Sequence, residues 1–178
     1  MSGGLDVAVP GLVLLIGPAG SGKSTFAARH FKPTEVISSD WCRALVSDNP
    51  NNQAVTPDAF KLVHLLAELR LKRRRLAVVD ATNVGRADRS PLLQIAAERR
   101  RPVTAIVFDV PLDLCLERDA ARAERRVGAI RIGRQWDALQ RNLPLLADEG
   151  YAAVHVLRTA EDLDTVRVVR TRAHTPPA

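Results

Sequence analysis

Short runs of consecutive aliphatic residues alternate along the chain with longer segments in which apolar positions recur at helical spacing. Continuous apolar runs of about 4–8 residues are typical of strands buried on both faces, and strands that alternate with helices form parallel sheets. The predicted strands are Leu12–Ile16, Glu35–Ser39, Leu76–Val79, Val103–Phe108 and Ala153–Leu157. The predicted helices begin near Gly22, Pro57, Arg89, Leu112, Ile130 and Asp162. The pattern therefore predicts an α/β fold around a parallel sheet.

Turn-forming residues separate several of these elements. The segment Ser47–Gln53 is rich in asparagine and predicts a loop that leads into the next helix. Thr56 followed by Pro57 is typical of a helix start, since threonine caps the first turn and proline suits the first helical position. The loop is either one wall of a substrate site or a plain surface connection.

The composition fits one ordinary domain, because 178 residues with 46% hydrophobic content can bury a single core. We expect this domain to cover residues 1–172, with 173–178 as a tail or the start of a linker. The formal charge of +6 suits an anionic partner such as a nucleotide or a nucleic acid. The arginine runs at 73–75 and 99–101 equally fit helix C-termini, which favour cations in any protein.

Neither a metal framework nor a membrane segment is expected. Cys42 and Cys115 are far apart and lie in no zinc-binding spacing, which also argues against a disulfide framework. The longest apolar run, Gly11–Gly17, is too short to cross a bilayer, and the N-terminus has no signal-peptide pattern. We therefore expect a cytoplasmic protein without a membrane partner.

The segment Gly17–Ser24 matches the phosphate-binding pattern G-x-x-x-x-G-K-[ST] and lies between a predicted strand and a predicted helix. In that context, backbone N–H groups and the helix N-terminus bind phosphates, lysine reaches the β- and γ-phosphates, and serine ligates Mg²⁺. The predicted nucleotide contacts are Gly17, Ala19, Gly20, Ser21, Gly22, Lys23, Ser24 and Thr25.

Two acids follow predicted strands and should lie at the same sheet edge as this loop, because the carboxyl ends of parallel strands meet there. Asp80 ends the run LAVVD and is predicted to hold Mg²⁺, directly or through water. Asp40 follows VISS and is predicted to be the general base that deprotonates an attacking hydroxyl. The alternative for Asp40 is a structural ion pair with Arg43.

The segment Glu117–Arg126 places Arg118, Arg122 and Arg125 at i, i+4 and i+7, which is one face of a helix. Arginines that fold over a nucleotide stabilise the charge that develops during phosphoryl transfer, so this helix is predicted to be a lid. The alternative is a solvated helix whose arginines pair with the acids between them.

Four segments together resemble the kinase module of the bacterial polynucleotide kinase-phosphatases, an RNA repair family. They are GPAGSGKSTFAARHF, KPTEVISSDWCRALVSD, LAVVDATNV and CLERDAARAERR, and the likeness extends from Leu12 to Val169. The resemblance implies the P-loop kinase fold, with the five predicted strands in the order 2-3-1-4-5. It implies transfer of the γ-phosphate of ATP, or another NTP, to 5′-hydroxyl ends of RNA or DNA.

By motif match, the resemblance implies that Asp40 is the general base, that Arg43 engages the acceptor, and that Arg118 and Arg122 act from the lid. It also implies phosphatase and ligase modules as partners if the chain is part of a longer protein, and it leaves the oligomeric state open. Two other classes are weighed against it. One is a small-molecule P-loop kinase for a sugar acid, a nucleoside or an antibiotic, and the other is a non-catalytic nucleotide-gated module.

Overall fold

The computed structural model describes residues 4–123 and 126–173. The strands are β1 (Gly4–Val9), β2 (Leu12–Ile16), β3 (Val36–Ser38), β4 (Ala77–Asp80), β5 (Val103–Phe108), β6 (Ala153–Leu157) and β7 (Arg167–Arg172). The helices are α1 (Lys23–His30), α2 (Ser39–Ser47), α3 (Thr56–Lys72), α4 (Arg86–Glu98), α5 (Leu112–Ala120), α6 (Ala129–Asn142) and α7 (Ala160–Thr165). Two 3-10 segments cover Gln53–Val55 and Leu143–Glu149. No helix in the described ranges combines the length and the apolarity needed to cross a membrane.

The central sheet has five strands in the order β3-β4-β2-β5-β6, and all of its neighbouring pairs are parallel. This is the predicted order 2-3-1-4-5, so the predicted fold class is confirmed. In the register, Asp80 lies opposite Leu15 on one side and Ser38 on the other. The carboxyl ends of β2, β3 and β4 therefore meet at one edge, as the parallel arrangement requires.

The sheet separates two apolar cores, which explains why β2 is hydrophobic at every position. Leu12, Leu14 and Ile16 pack on one face with side chains of α3 and α4, whereas Val13 and Leu15 pack on the other face with side chains of α1 and α5. All five side chains are at most 1% exposed. A strand covered on both faces has no solvated side, so the polar alternation of a surface strand is absent.

A second sheet, not predicted from the pattern, consists of β1 and β7 paired in parallel. β1 buries Leu5 and Val7 in the core on the α1 side of the main sheet. The β7 side chain of Arg170 donates twice to the carboxylate of Glu35, at 2.7 Å for each bond, and so ties β7 to the segment before β3. β7 has exposed arginines and pairs with the opposite end of the chain, so local apolarity gave no signal for it.

The strand predicted at Glu35–Ser39 is wrong at its end, because β3 stops at Ser38 and α2 begins at once. The Ser38 hydroxyl accepts a hydrogen bond from the Trp41 N–H and caps α2. Asp40 therefore lies in the first turn of a helix and not at the tip of a strand.

Other predicted boundaries need smaller corrections. α3 begins at Thr56 without a side-chain cap, and the side chain of Asn52 instead accepts from Ala54 N–H at the preceding 3-10 turn. α4 begins at Arg86, earlier than the predicted start near Arg89. Of the predicted loop, Ser47 belongs to α2 and Gln53 to the 3-10 turn.

Candidate active site

The predicted phosphate loop connects β2 to α1 and contains two glycines in the left-handed region. Gly20 has φ +80° and Gly22 has φ +100°, which only glycine adopts readily. A Cβ atom on Gly20 would lie 2.3 Å from the Cys115 carbonyl oxygen, so no larger residue fits there. The N–H of Gly17 donates to the Thr82 carbonyl oxygen at 2.9 Å, which ties the loop to the segment after β4. No side chain in the described ranges caps α1, and its first N–H groups can therefore serve an anion.

Lys23 lies almost entirely inside this loop, with 7% of its surface exposed. Its ammonium group donates to the Pro18 carbonyl oxygen at 2.7 Å and to the Ser21 hydroxyl at 3.3 Å. Burial lowers the pKa of Lys23 to about 8, although the carboxylates of Asp80 and Asp40 oppose the shift. The phosphates of a nucleotide carry the negative charge that stabilises a buried ammonium, so Lys23 is placed to bind a polyphosphate.

The oxygen atoms suited to a divalent cation lie beside the loop. Ser24 and Thr25 occupy the first turn of α1, and Asp80, which is 7% exposed, ends β4. Ser24 and Asp80 both line the same cleft. Mg²⁺ is usually held by one or two protein oxygens together with phosphates and waters, so this donor set fits Mg²⁺. The roles of Ser24 and Asp80 as ligands stay predictions.

Asp40 and Arg43 lie one helical turn apart on α2 and form an ion pair. The Arg43 Nη1 donates to Asp40 Oδ1 at 2.6 Å, and its Nε donates to the Thr56 hydroxyl at 3.2 Å. The Arg43 side chain is 9% exposed, whereas that of Asp40 is 34% exposed toward the cleft that both residues line. The ion pair named as the alternative for Asp40 is thus present, and it fixes the carboxylate in the cleft. The proposed general-base role stays a prediction.

The arginine lid differs from its prediction, because α5 ends at Ala120 and Arg122 lies beyond the helix. The Asp119 carboxylate, which the alternative of a solvated helix pairs with arginines, accepts from the backbone N–H groups of Val127 and Gly128. Arg118 remains on α5 and donates to the carbonyl oxygens of the phosphate loop at residues 20 and 21, at 3.5 and 3.3 Å. The predicted third lid arginine, at position 125, lies outside the described residues.

One cleft of about 260 Å³ brings most of the predicted site together. Its lining includes Lys23, Ser24, Asp40, Arg43, Asp80 and Arg122. A neighbouring cavity of about 340 Å³ lies between the loop and α7 and is lined by Gly20, Gly22, Thr25, Arg118 and Arg122. Arg122 contributes to both cavities, so the two form adjoining halves of one site.

A family model described as an AAA domain matches residues 12–146. The chain belongs to this family. A curated relative, the transcription factor bHLH140 of Arabidopsis thaliana, is 29% identical over 111 residues, which are 62% of this chain and 11% of the relative. The present AAA domain thus spans only a small part of that protein.

Solved structures similar to this AAA domain include a chain of the Pnkp1/Rnl/Hen1 RNA repair complex, with a TM-score of 0.68 and 24% identity. The match covers 79% of this chain and 47% of the other. A gluconokinase from Sinorhizobium meliloti 1021 matches with a TM-score of 0.55 and 19% identity, over 89% of this chain and 87% of the other. At these identities the likeness establishes the fold. The AAA domain has the fold of these P-loop structures, and its predicted resemblance to the RNA repair kinase module is confirmed at the level of the fold.

The AAA domain also has cleft residues that no sequence motif indicated. Gln135 of α6 accepts a hydrogen bond from the Ala19 N–H at 2.9 Å, so α6 packs over the phosphate loop. Arg131 of the same helix lines the cleft and donates to Gln53 at 2.7 Å. These residues are far from the motifs in sequence, and only the path of the chain after α5 brings them to the site.

Proposed function

We propose that this domain is an ATP-dependent 5′-hydroxyl polynucleotide kinase that acts in nucleic-acid repair. The observation that carries the proposal is the Asp40–Arg43 pair, because it places a carboxylate and a guanidinium together in the cleft that contains Lys23. A carboxylate suits proton removal from a hydroxyl, and a guanidinium suits a phosphate.

The phosphate loop binds the donor in this proposal. Lys23 neutralises charge on the β- and γ-phosphates, and the N-terminus of α1 holds the phosphate oxygens. Ser24 and Asp80 would hold Mg²⁺, which would supply further neutralisation of the transferring phosphoryl group. Arg118 donates to the Ser21 carbonyl oxygen of the phosphate loop and lines the second cavity together with Arg122, so in this proposal the two arginines enclose the nucleotide.

Asp40 accepts the proton of the acceptor hydroxyl as the new oxygen–phosphorus bond forms. The bond between the γ-phosphorus and the β-phosphate bridging oxygen breaks, and the diphosphate leaves with that electron pair. The contact between Arg43 and Asp40 Oδ1 holds the carboxylate in the cleft where the acceptor hydroxyl is proposed to bind.

Arg43 distinguishes the class of acceptor. A polynucleotide carries a phosphate on the 3′ side of its first nucleoside, which a guanidinium binds with fork geometry, whereas a free nucleoside or sugar has no such group. We therefore propose that Arg43 binds this phosphate while Asp40 faces the 5′-hydroxyl. Phosphatase and ligase modules are proposed partners, since the chain spans about half of the RNA repair chain that it matches.

A second candidate is a small-molecule kinase. It is favoured by the gluconokinase structure, which matches over 87% of its own length and therefore over nearly a whole protein. A kinase of this class would retain Lys23 and Asp40 but would gain nothing from a 3′-phosphate on its acceptor.

The experiment measures phosphate transfer from labelled ATP to a 5′-hydroxyl oligonucleotide, adenosine 3′-monophosphate, adenosine and gluconate. We expect the two phosphate-bearing acceptors to be used, adenosine to be poor, and Arg43→Ala to reduce the advantage of adenosine 3′-monophosphate. Lys61→Ala is the matched control, because Lys61 forms an exposed i,i+3 pair with Asp58 on α3. Equal use of adenosine and its 3′-monophosphate by the wild type would refute the polynucleotide proposal.

A further inference from the structure

Arg131 is a second cation on the acceptor side of the cleft, opposite the helix that carries Arg43. It lies in the first turns of α6, is exposed, and lines the same cleft as Asp40 and Arg43. Its Nη2 donates to the side-chain oxygen of Gln53 at 2.7 Å, across 78 positions of sequence. The contact spans the cleft from α6 to the 3-10 turn before α3.

Arg43 and Arg131 donate hydrogen bonds to side chains of the same short segment, residues 53–56. Thr56 accepts from Arg43, and Gln53, in the turn immediately before it, accepts from Arg131. Arg43 is paired with the Asp40 carboxylate, whereas the Gln53 side-chain oxygen is neutral and does not neutralise Arg131. Within residues 4–123 and 126–173, no carboxylate forms an ion pair with Arg131, and Gln53 uses one of the five donors of its guanidinium.

A single strand presents phosphates in succession along one backbone. The two guanidinium groups contact side chains at positions 53 and 56 of one short segment and line one cleft, so they suit two successive phosphates of such a strand. We propose that Arg131 binds the second phosphate of the acceptor strand, counted from its 5′ end, and that Gln53 positions its guanidinium. The inference rests on the proposed polynucleotide kinase activity. It implies that the site prefers acceptors with at least two backbone phosphates to acceptors with one.

The test compares acceptors that differ by one phosphate. Adenosine 3′-monophosphate has only the first phosphate, whereas the dinucleotide ApAp has the first and the second. We expect wild-type kcat/KM to be about tenfold higher for ApAp than for adenosine 3′-monophosphate, and Arg131→Ala to lower kcat/KM for ApAp far more than for adenosine 3′-monophosphate. Arg134→Ala is the matched control, since Arg134 is exposed on the same helix and does not line the cleft.

Salt dependence supplies a second readout. Each contact with a single-strand phosphate contributes a slope of about 0.7 to the fall of log affinity with log salt concentration. Arg131→Ala should lower that slope for ApAp by about 0.7, and Arg131→Lys should retain most of it. Gln53→Ala should reduce the ApAp gain in kcat/KM only in part, because the charge remains.

The outcomes separate this inference from the function on which it rests. If the wild type phosphorylates neither adenosine 3′-monophosphate nor ApAp, the polynucleotide kinase proposal is overturned. Discrimination between adenosine and its 3′-monophosphate, with no further gain for ApAp, would overturn only the role of Arg131. An equal loss on both phosphate-bearing acceptors in Arg131→Ala would overturn it as well, and would place Arg131 at the nucleotide or in the fold.

Discussion

The buried ion pair between Arg89 and Glu149 gives the sharpest prediction about stability. Arg89 of α4 is 0% exposed and donates to both carboxylate oxygens of Glu149, at 2.8 Å and 2.5 Å. It also donates to the Asn83 carbonyl oxygen at 2.8 Å, and Tyr151 donates to the same carboxylate at 3.1 Å. Arg89→Met keeps the aliphatic stem but leaves Glu149 and the Asn83 carbonyl short of their partner.

The size of the effect follows from burial. Removing one partner of a buried pair costs about 3–5 kcal/mol, which is a large part of a typical free energy of unfolding of about 5–15 kcal/mol. For a chain of this size, the loss corresponds to a fall in Tm of roughly 6–20 °C. In Arg89→Met/Glu149→Met no charge is left buried. The Asn83 carbonyl oxygen is unpaired as in the single variant, at about 1–3 kcal/mol, and the half-buried Tyr151 hydroxyl can bind water instead of Glu149. The double variant should therefore be more stable than Arg89→Met.

Urea denaturation followed by circular dichroism measures these free energies of unfolding. Arg99→Met is the matched control, because Arg99 pairs with Glu68 with both side chains about a third exposed, where such a pair contributes about 0–1 kcal/mol. If Arg89→Met loses no more stability than Arg99→Met, or if the double variant is the least stable of the series, the reasoning from burial is wrong.

Three further predictions concern the site. ATP affinity should fall about tenfold per pH unit above pH 8, because Lys23 has a pKa of about 8 in the protein without nucleotide and must be protonated to bind phosphate. Calorimetric titration with ATP at several pH values should show this fall in the wild type. The same pH dependence of ATP affinity in Lys23→Met would contradict the prediction. Asp40→Asn should retain ATP affinity and lose about 10²- to 10⁴-fold in single-turnover rate; lower affinity with an unchanged rate would exclude the general-base role. Arg118→Ala should weaken nucleotide binding or turnover more than Arg134→Ala does, and equal losses would indicate general positive charge.

The main sheet could be predicted because its signal is local. β2, β5 and β6 have the predicted bounds, and β4 is displaced by one residue, from Leu76–Val79 to Ala77–Asp80. β2 and β5 are buried at every position, so continuous apolarity and strand bounds coincide. The P-loop was equally predictable, because its glycines, lysine and serine are contiguous and their spacing follows from phosphate geometry.

The sequence pattern did not predict elements in which a strand signal competes with a helix signal, or elements that form only by pairing between distant parts of the chain. In VISSDW the apolar start favours a strand, but Ser38 caps a helix and the helix takes over one residue later. β1 and β7 pair although they lie near opposite ends of the sequence, and β7 is too exposed and too basic to be predicted as a strand from its apolar pattern. α5 ends at Ala120, and Asp119 in its last turn accepts from the backbone N–H groups of Val127 and Gly128, a contact between segments that the helical spacing of the arginines does not predict.

The proposed donor and acceptor halves of the site are supported in different ways, and under the proposed function this separates nucleotide binding from acceptor choice. On the donor side, the Thr82 carbonyl oxygen accepts from the phosphate loop, Asn83 donates to the Leu15 carbonyl oxygen, and Arg89 donates to Asn83, so a buried network fixes the loop after β4 against the P-loop. On the acceptor side, the Gln53–Arg131 contact is exposed and joins two side chains from separate surface elements. Because a buried network tolerates little change while exposed contacts cost little to replace, substitutions at the acceptor wall can alter the substrate without disturbing the phosphate loop.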